Sequence, residues 1–416
     1  MPKMVNIKNR INIEKVMLFF FLNISMIQIV TSKIGSFTSD RILTSSILSQ
    51  IVIGVIIISW CKSRRIQPIS LMLPLSAICL FLMSAVIFPN RIDSILSRDG
   101  GLLEIISMYG GLMAFFITSN LINYKSIESV IYLSMFYQVP YYLYICSRTR
   151  NIGYWVINIG GQMIESSYNM AVGYEMAFVS VVLMFLFYKN KKVIYVILSL
   201  LFELLILLYG SRGALFPLIL FIIMWYMIVG NSKEAKVKKI LIFLIAFIAG
   251  VVIVRNINVI AEGINDFFYT KLNYYSRTLD RFIDGELANS STRIELWKTI
   301  YKSLKENLFL PLGLYADREL LGTYSHNIFI EIFSNFGVFG IGLLLLLSIG
   351  YVCFLVKCKN EHEKMFLTLF MSVGIVKLML SSSFWVERYF WIFIGLLYVG
   401  YKNCDKSDIN KATVGK

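Results

Sequence analysis

Charged residues are scarce in this chain, and their scarcity excludes an ordinary soluble protein. Only 16% of the 416 residues are Asp, Glu, Lys or Arg, whereas 57% are hydrophobic, and the mean hydropathy is +0.70. A soluble domain carries about a quarter of its residues as charged side chains. The composition therefore indicates an integral membrane protein.

Histidine is rarer still, because the chain has only His326 and His362. The six cysteines lie in or near apolar runs or in short basic loops, and the polar segment at residues 255–327 has none. The sequence also lacks a Walker loop and a His-Glu-x-x-His motif. Its first outer loop, residues 33–41, has Asp40 as its one acid, without the paired acids of many metal-dependent membrane glycosyltransferases. We therefore expect no disulfide framework, no ATP-driven mechanism, no metal site and no cofactor.

Acidic residues are outnumbered, with 25 against 40 basic residues and a net charge of +15. Such a balance could indicate nucleic-acid binding, but a membrane protein retains positive charge on its cytoplasmic face. We therefore expect membrane lipid, and no nucleic acid, as a partner.

Long apolar runs dominate what remains. A spanning helix needs about 20 mostly apolar residues, and on that criterion the chain has about twelve spans. Their approximate limits are residues 16–32, 42–61, 69–88, 102–121, 127–146, 168–188, 193–209, 214–229, 240–254, 336–356, 365–382 and 389–401. The predicted fold is all-α, and residues 1–416 form a single polytopic membrane domain.

Basic residues in the short loops give the orientation. Lysines gather at one set of span ends, which predicts that both termini are cytoplasmic and that the large loop at residues 255–327 lies outside. The short outer loops carry arginine instead, for example Arg91, Arg212 and Arg388. Arginine binds phosphate with a planar fork, so this face suggests a phosphate-bearing ligand, although arginines also anchor at lipid headgroups.

Two arginines have a distinctive local setting. Arg212 lies in the tight turn Gly210-Ser211-Arg212-Gly213 between two spans, which is either a ligand-binding turn or a hairpin with a snorkelling side chain. Thr292-Arg293-Ile294-Glu295 forms a capping box that begins an amphipathic helix. That helix lies along the bilayer surface or packs on the rest of the loop, and its first turn attracts anions.

His326 follows Tyr324-Ser325 and precedes Asn327, where the chain re-enters the membrane. A histidine can take a proton from a sugar hydroxyl near neutral pH, although a loop histidine is often only structural. Glu331 shares a helix face with Asn327, but His326 lies well off that face. Glu331 is therefore not the obvious residue to orient His326. His362 is expected to be solvated.

Charges inside spans are costly and usually have a buried partner or a function. Glu175, Glu203 and Lys377 each lie roughly two turns below the outer surface. Our hypothesis is that at least two of these three pair beneath the arginine site. The outer turn at residues 381–388 is a further, weaker candidate for sugar-binding groups.

Three stretches together resemble the O-antigen polymerase and ligase superfamily. They are Leu208-Tyr209-Gly210-Ser211-Arg212-Gly213-Ala214-Leu215, Ser291-Thr292-Arg293-Ile294-Glu295-Leu296-Trp297, and Ser325-His326-Asn327-Ile328-Phe329-Ile330-Glu331 continuing through Phe336-Gly337-Val338-Phe339-Gly340. The resemblance covers the chain from about Val193, and the first half is similar only in hydropathy.

The resemblance implies metal-independent glycosyl transfer from an undecaprenyl-pyrophosphate-linked glycan to a glycan acceptor, at the outer face of the bacterial cytoplasmic membrane. Arg212 and Arg293 would bind the pyrophosphate and stabilise it as leaving group, and His326 would deprotonate or orient the acceptor hydroxyl. Tyr324, Asn327 and Arg318 are further candidates for substrate binding. The resemblance also implies a protein partner that regulates chain length.

Three functions stay open at this point. A polymerase passes the growing chain to another lipid-linked repeat, and the wording of the arginine and histidine motifs favours it. A ligase would instead pass the finished polymer to lipid A–core. A flippase or secondary transporter is the alternative from another class, but transporters usually show internal repeats and midplane sites, and this chain shows neither.

Overall fold

The computed structural model describes residues 7–35, 41–63, 66–97, 100–108, 110–148, 154–159, 162–167, 170–209, 211–228, 257–272, 283, 291–306 and 310–414. The predicted ninth span, residues 240–254, and Gly210 lie outside the described residues, as does part of the large loop.

The described part of the chain is a helical body, as predicted. Its α-helices are α1 Ile7–Leu22, α2 Ile24–Gly35, α3 Arg41–Lys62, α4 Pro68–Ile87, α5 Ile92–Leu96, α6 Leu102–Ile105, α7 Gly111–Ser119, α8 Tyr124–Arg148, α9 Met170–Asn190, α10 Val193–Tyr209, α11 Phe216–Ile228, α12 Ile257–Leu272, α13 Ser291–Glu306, α14 Ala316–Leu321, α15 Ile328–Lys357, α16 Glu361–Leu380 and α17 Arg388–Val414. Short 3₁₀ turns cover Pro89–Arg91 and Arg212–Leu215.

A β-hairpin is the one addition to the all-α prediction. Strand β1, Tyr154–Ile159, pairs antiparallel with β2, Gln162–Ser167, between α8 and α9. The sequence places Gly160 and Gly161 between the strands, a pair typical of two-residue hairpin turns. Our hydropathy criterion missed the hairpin because it searched only for long apolar runs.

Span candidates are fewer among the described residues than the twelve that we predict. Four helices are long and apolar enough to cross a membrane, and a bent pair makes a fifth. The four are Thr44–Lys62, Pro68–Ile87, Met170–Asn190 and Ile328–Lys357. Two shorter apolar helices, Val193–Tyr209 and Arg212–Ile228, accompany them. The number of twelve and the cytoplasmic termini therefore stay predictions.

Two predicted spans are interrupted for visible reasons. The run at residues 16–32 bends by 78° between α1 and α2, where the amide of Asn23 donates to the Phe19 carbonyl at 2.8 Å and to Ser134 Oγ at 2.7 Å. The run at residues 102–121 divides into α6 and α7. A turn ends at Gly110, whose missing side chain leaves room for the Ile105 carbonyl.

The core lies around α9 and α16, the helices that position the candidate site. Helix α9 packs against α10, α11 and α16, and α16 packs against α11 and α17. Phe178 of α9 stacks on Tyr389 of α17 with ring centroids 4.6 Å apart, and Phe370 of α16 adjoins both rings. This aromatic packing fixes the three helices relative to each other.

The segment at residues 310–327, part of which belongs to the predicted outer loop, packs on the first half of the chain. Arg91 donates to the Leu312 carbonyl at 2.8 Å and pairs with Glu319. Tyr315 donates its hydroxyl to the Gly100 carbonyl, and its ring lies 5.4 Å from that of Phe81. These contacts hold the chain that leads to His326.

Candidate functional site

His326 occupies a constrained position directly before helix α15. Its φ is 57°, the left-handed region that few residues with a side chain adopt. The ring of Tyr324 lies 4.2 Å from the His326 ring, and the Tyr324 hydroxyl donates to the Ser381 carbonyl at 2.8 Å. Tyr324 therefore positions the histidine against the end of α16, and its predicted role in binding substrate stays a prediction.

Asn327 is the N-cap of α15. Its side-chain oxygen accepts hydrogen bonds from the amides of Phe329 at 3.0 Å and Ile330 at 3.3 Å. This arrangement is the usual one for an asparagine at a helix start. Asn327, which we predicted to bind substrate, thus bonds the helix backbone through its side-chain oxygen. This cap fixes the start of α15 directly after His326.

Arg212 begins a 3₁₀ turn that packs on α9 and α16. A Cβ on Gly213 would overlap the hydroxyl of Tyr174 and lie 3.3 Å from Leu380 Cδ1. A Cβ on Gly173 would likewise overlap Ser211. Glycine is required on both sides of this contact, because the turn approaches the helices so closely.

The arginine turn and the histidine loop meet the same end of α16. Gly213 adjoins Leu380, and Tyr324 bonds the carbonyl of Ser381, the next residue. Motifs that are more than a hundred residues apart in sequence therefore contact two consecutive residues at this end of α16, Leu380 and Ser381, which we call their shared seat. Gly213, which follows Arg212, and Tyr324, two residues before His326, thus adjoin consecutive residues, and the catalytic roles of Arg212 and His326 stay predictions.

Arg293 is connected to the same place through its helix. It is the third residue of α13, and its side chain lies outside the described ones. Position 297 shares its helix face, four residues on, and the Trp297 indole donates to the Ser325 carbonyl at 2.9 Å. Helix α13 thus packs against the histidine loop with the face that carries position 293.

Our hypothesis that two of Glu175, Glu203 and Lys377 pair with each other is wrong. Glu175 bonds Arg388 at 2.5 Å, and Lys377 bonds Glu387 at 2.5 Å. Glu387 is the last residue before α17, and Arg388 is the first residue of that helix. The predicted sugar-binding turn at residues 381–388 therefore supplies ion-pair partners to two helices. One carboxylate oxygen of Glu203 is buried without a hydrogen-bond partner in the described structure.

Arg318, which we predicted to bind substrate, has several partners within the protein, and its role in substrate binding stays a prediction. Its side chain is 9% exposed and lies near Asp317 at 3.3 Å and Glu331 at 3.5 Å. It donates to Ser383 Oγ at 3.0 Å, and its guanidinium lies 3.8 Å from the Tyr315 ring centroid. Its contacts are internal, so Arg318 stabilises the loop from within.

Sequence reasoning missed the acids of this network. Glu331 is fully buried and accepts from Ser383 Oγ at 2.5 Å and the Phe384 amide at 3.1 Å. Asp317 is also fully buried and accepts from the Ser325 amide at 3.1 Å. Burial raises the pKa of Asp317, although the neighbouring Arg318 opposes that shift. The one signal in the sequence for a role of Glu331 was the helix face that it shares with Asn327.

His362 lies apart from this site, at the first turn of α16, a helix about 30 Å long. We expected a solvated side chain. Instead, its Nε2 lies 3.2 Å from Glu128, which also binds Lys189 at 2.6 Å, and its ring packs on Phe185. Its place at the opposite end of α16 excludes it from the chemistry around His326.

An apolar groove of about 430 Å³ adjoins the histidine loop between α13 and α15. Its lining residues are mostly aliphatic or aromatic, with one lysine: Ile294, Trp297, Lys298, Ile300, Tyr301, Phe329, Ile330, Phe333 and Ile341. One wall includes Ile294, the residue after Arg293. The other wall includes Phe329, two residues after Asn327. A long hydrocarbon chain would suit such a lining.

Among the described residues, no group of three His, Cys, Asp or Glu could hold a metal ion.

We expect Gly213→Ala to abolish most activity, because the new methyl would overlap the Tyr174 hydroxyl and displace the arginine turn. Adding Tyr174→Phe removes that oxygen and should restore part of the rate. The measurement is product formation per folded molecule for both variants, with Tyr174→Phe alone as the control. Full activity in Gly213→Ala alone would show that the close contact does not position Arg212.

Comparison with known proteins confirms the family resemblance. A family model described as O-Antigen ligase matches residues 194–345. That range begins where the resemblance in sequence begins and includes Arg212, Arg293 and His326. No curated protein matches the chain.

Proposed function

We infer from the O-antigen ligase domain at residues 194–345 that the protein is a membrane glycosyltransferase that polymerises lipid-linked oligosaccharide repeats. The observation that carries this inference is the shared seat of the arginine turn and the histidine loop at Leu380 and Ser381. A polyanionic leaving group and an attacking hydroxyl require such a pairing of cation and base.

The proposed reaction is the attack of an acceptor sugar hydroxyl on the anomeric carbon of the donor glycan. A new glycosidic bond forms, and the bond between the anomeric carbon and the pyrophosphate oxygen breaks. His326 takes the hydroxyl proton, and Arg212 and Arg293 bind the pyrophosphate that leaves with its carrier lipid. The donor is already activated, so the reaction requires no nucleotide, and the family resemblance implies that it requires no metal.

Two local features support a lipid-pyrophosphate donor. The first turn of α13, which contains Arg293, presents amides that favour an anion. The apolar groove between this helix and α15 suits the polyprenyl chain of the carrier lipid. Headgroup and tail would then bind side by side, at the outer face of the bacterial cytoplasmic membrane.

Polymerase is the preferred activity, because the sequences of the Gly-Ser-Arg-Gly turn and the histidine motif resemble those of polymerases more than those of ligases. The matching family model, described as O-Antigen ligase, does not distinguish the two activities. A ligase that transfers the finished polymer to lipid A–core is therefore the alternative. In either case the donor is an undecaprenyl-pyrophosphate-linked glycan. A chain-length regulator is a proposed protein partner of the polymerase.

We expect the purified protein to convert a lipid-pyrophosphate-linked repeat, as its sole substrate, into a ladder of longer lipid-linked glycans. The ladder forms because one lipid-linked repeat serves as donor and another as acceptor. The measurement is gel analysis of the lipid-linked products, with His326→Ala, which should retain only residual activity, as the control.

Three other results would point elsewhere. Transfer that requires added lipid A–core would identify a ligase. A deletion strain with bare core and polymer on the carrier lipid would agree with that result. Repeats trapped on the cytoplasmic leaflet, together with no product from the purified protein, would identify a flippase.

A further inference from the structure

The peptide of Ser325 is held from both sides directly before His326. The Trp297 indole donates to its carbonyl at 2.9 Å, and a carboxylate oxygen of Asp317 accepts from its amide at 3.1 Å. The Ser325 side chain is itself buried and donates to the Asn327 carbonyl at 3.2 Å. Every polar group of Ser325 named here has a partner within the protein.

His326 needs such support because of its backbone. A φ of 57° is unfavourable for a residue with a Cβ and persists only where the surroundings fix it. Ser325 directly precedes His326 in the chain, and Asn327, the N-cap of α15, directly follows it. The two bonds to Ser325 therefore fix the direction in which the histidine side chain leaves the chain.

Trp297 has a second geometric effect. It belongs to α13, the helix that carries Arg293, and its position shares a face with 293. Its bond to Ser325 therefore sets the separation between the helix of the second arginine and the histidine loop. Asp317 acts from the other side, on α14, where Arg318 and the first-half residues already fix the backbone.

We propose that Trp297 and Asp317 are positioning residues, which hold His326 at its working distance from the pyrophosphate-binding arginines. This inference rests on the proposed function. Neither side chain touches the reacting groups in this proposal, since both act on His326 through the Ser325 peptide. Trp297 also lines the apolar groove, so its two roles must be separated by experiment.

The test is Trp297→Phe, which removes the N–H donor and keeps an aromatic ring in the groove. We expect kcat to fall about 10- to 100-fold, because a displacement of about 1 Å at a reacting group has that effect. The KM for the lipid-linked donor should stay unchanged, because the ring still lines the groove. A higher KM with an unchanged kcat would overturn the positioning role and leave only the groove.

The matched control is Trp391→Phe. The Trp391 indole also donates to a buried carbonyl, that of Phe384, at 2.7 Å, but this bond does not support His326. Its loss should lower thermal stability and leave kcat near that of the wild type. Equal losses of kcat in both tryptophan variants would show a general structural effect and contradict the proposal.

A double-mutant cycle with His326→Ala separates this proposal from the proposed function. If Trp297 acts through His326, Trp297→Phe should cause no further loss in the residual activity of His326→Ala. Wild-type activity in His326→Ala would refute the proposed function itself. A His326→Ala variant with only residual activity, together with a fully active Trp297→Phe, would refute only the positioning role.

Asp317 provides an independent arm. Asp317→Asn keeps an oxygen that can accept from the Ser325 amide, whereas Asp317→Ala does not. We expect the asparagine variant to retain clearly more kcat than the alanine variant at equal amounts of folded protein. Equal kcat values in these two variants would contradict the part of the proposal that concerns Asp317.

Discussion

Arg212→Lys is expected to lower the rate of glycosyl transfer nearly as much as Arg212→Ala, by about 10²–10³-fold. Lysine keeps the charge but loses the planar fork that binds two pyrophosphate oxygens at once. The turn also leaves little freedom to compensate, because Gly213 is pressed against Tyr174 and Leu380. The measurement is the rate of ladder formation by each purified variant with a lipid-pyrophosphate-linked repeat.

The matched control for this prediction is Arg91→Lys. Arg91 donates to the Leu312 carbonyl and pairs with Glu319, so its guanidinium binds the protein and not the predicted substrate. This variant should lose some stability and keep most of its turnover per folded molecule. A near-normal ladder from Arg212→Lys would count against the role of Arg212 in binding pyrophosphate.

Glu331→Ala is expected to destabilise the protein by about 3–5 kcal/mol, because it removes one partner of a buried ion pair. The carboxylate is fully buried and accepts from Ser383 and the Phe384 amide while it faces Arg318. Without it, the guanidinium loses a buried countercharge and two donors lose their acceptor. Thermal unfolding of the purified variants in detergent, supported by their yield in the membrane, measures the loss.

Glu319→Ala is the control of equal chemistry at the surface. The Glu319 side chain is 42% exposed and pairs with Arg91, and exposed pairs contribute about 0–1 kcal/mol. Its loss should therefore be small. If Glu331→Ala unfolds no earlier than Glu319→Ala, the buried network does not hold the loop, and the predicted role of Arg318 in substrate binding gains support.

Hydropathy and local motifs predicted much of the fold, because both depend on short stretches of sequence. The helical class, the presence of helix α13 and the start of α15 after Asn327 follow from runs of apolar residues and from local motifs. Breaks within runs were not predictable in this way. The bend at Asn23 depends on a hydrogen bond to Ser134 on a helix that comes much later in the chain.

The candidate site shows the same division. Arg212, Arg293 and His326 were predicted from motifs, but the meeting of the arginine turn and the histidine loop at Leu380 and Ser381 depends on how α16 packs. The partners of Glu175 and Lys377 were missed for the same reason. A charge within a span indicates that some partner exists, and only the packing of helices decides that Arg388 and Glu387 are those partners.

The anchoring of the segment at residues 310–327 on Arg91, Gly100 and Phe81 has a consequence for modularity. These three residues precede the family-matching region, yet they hold the chain that leads to His326. The two halves are therefore not exchangeable parts. A hybrid that joins residues 194–416 to the first half of a distant homologue would need to recreate the donor at position 91 and the carbonyl at position 100, or it would assemble a membrane body with an unsupported histidine loop.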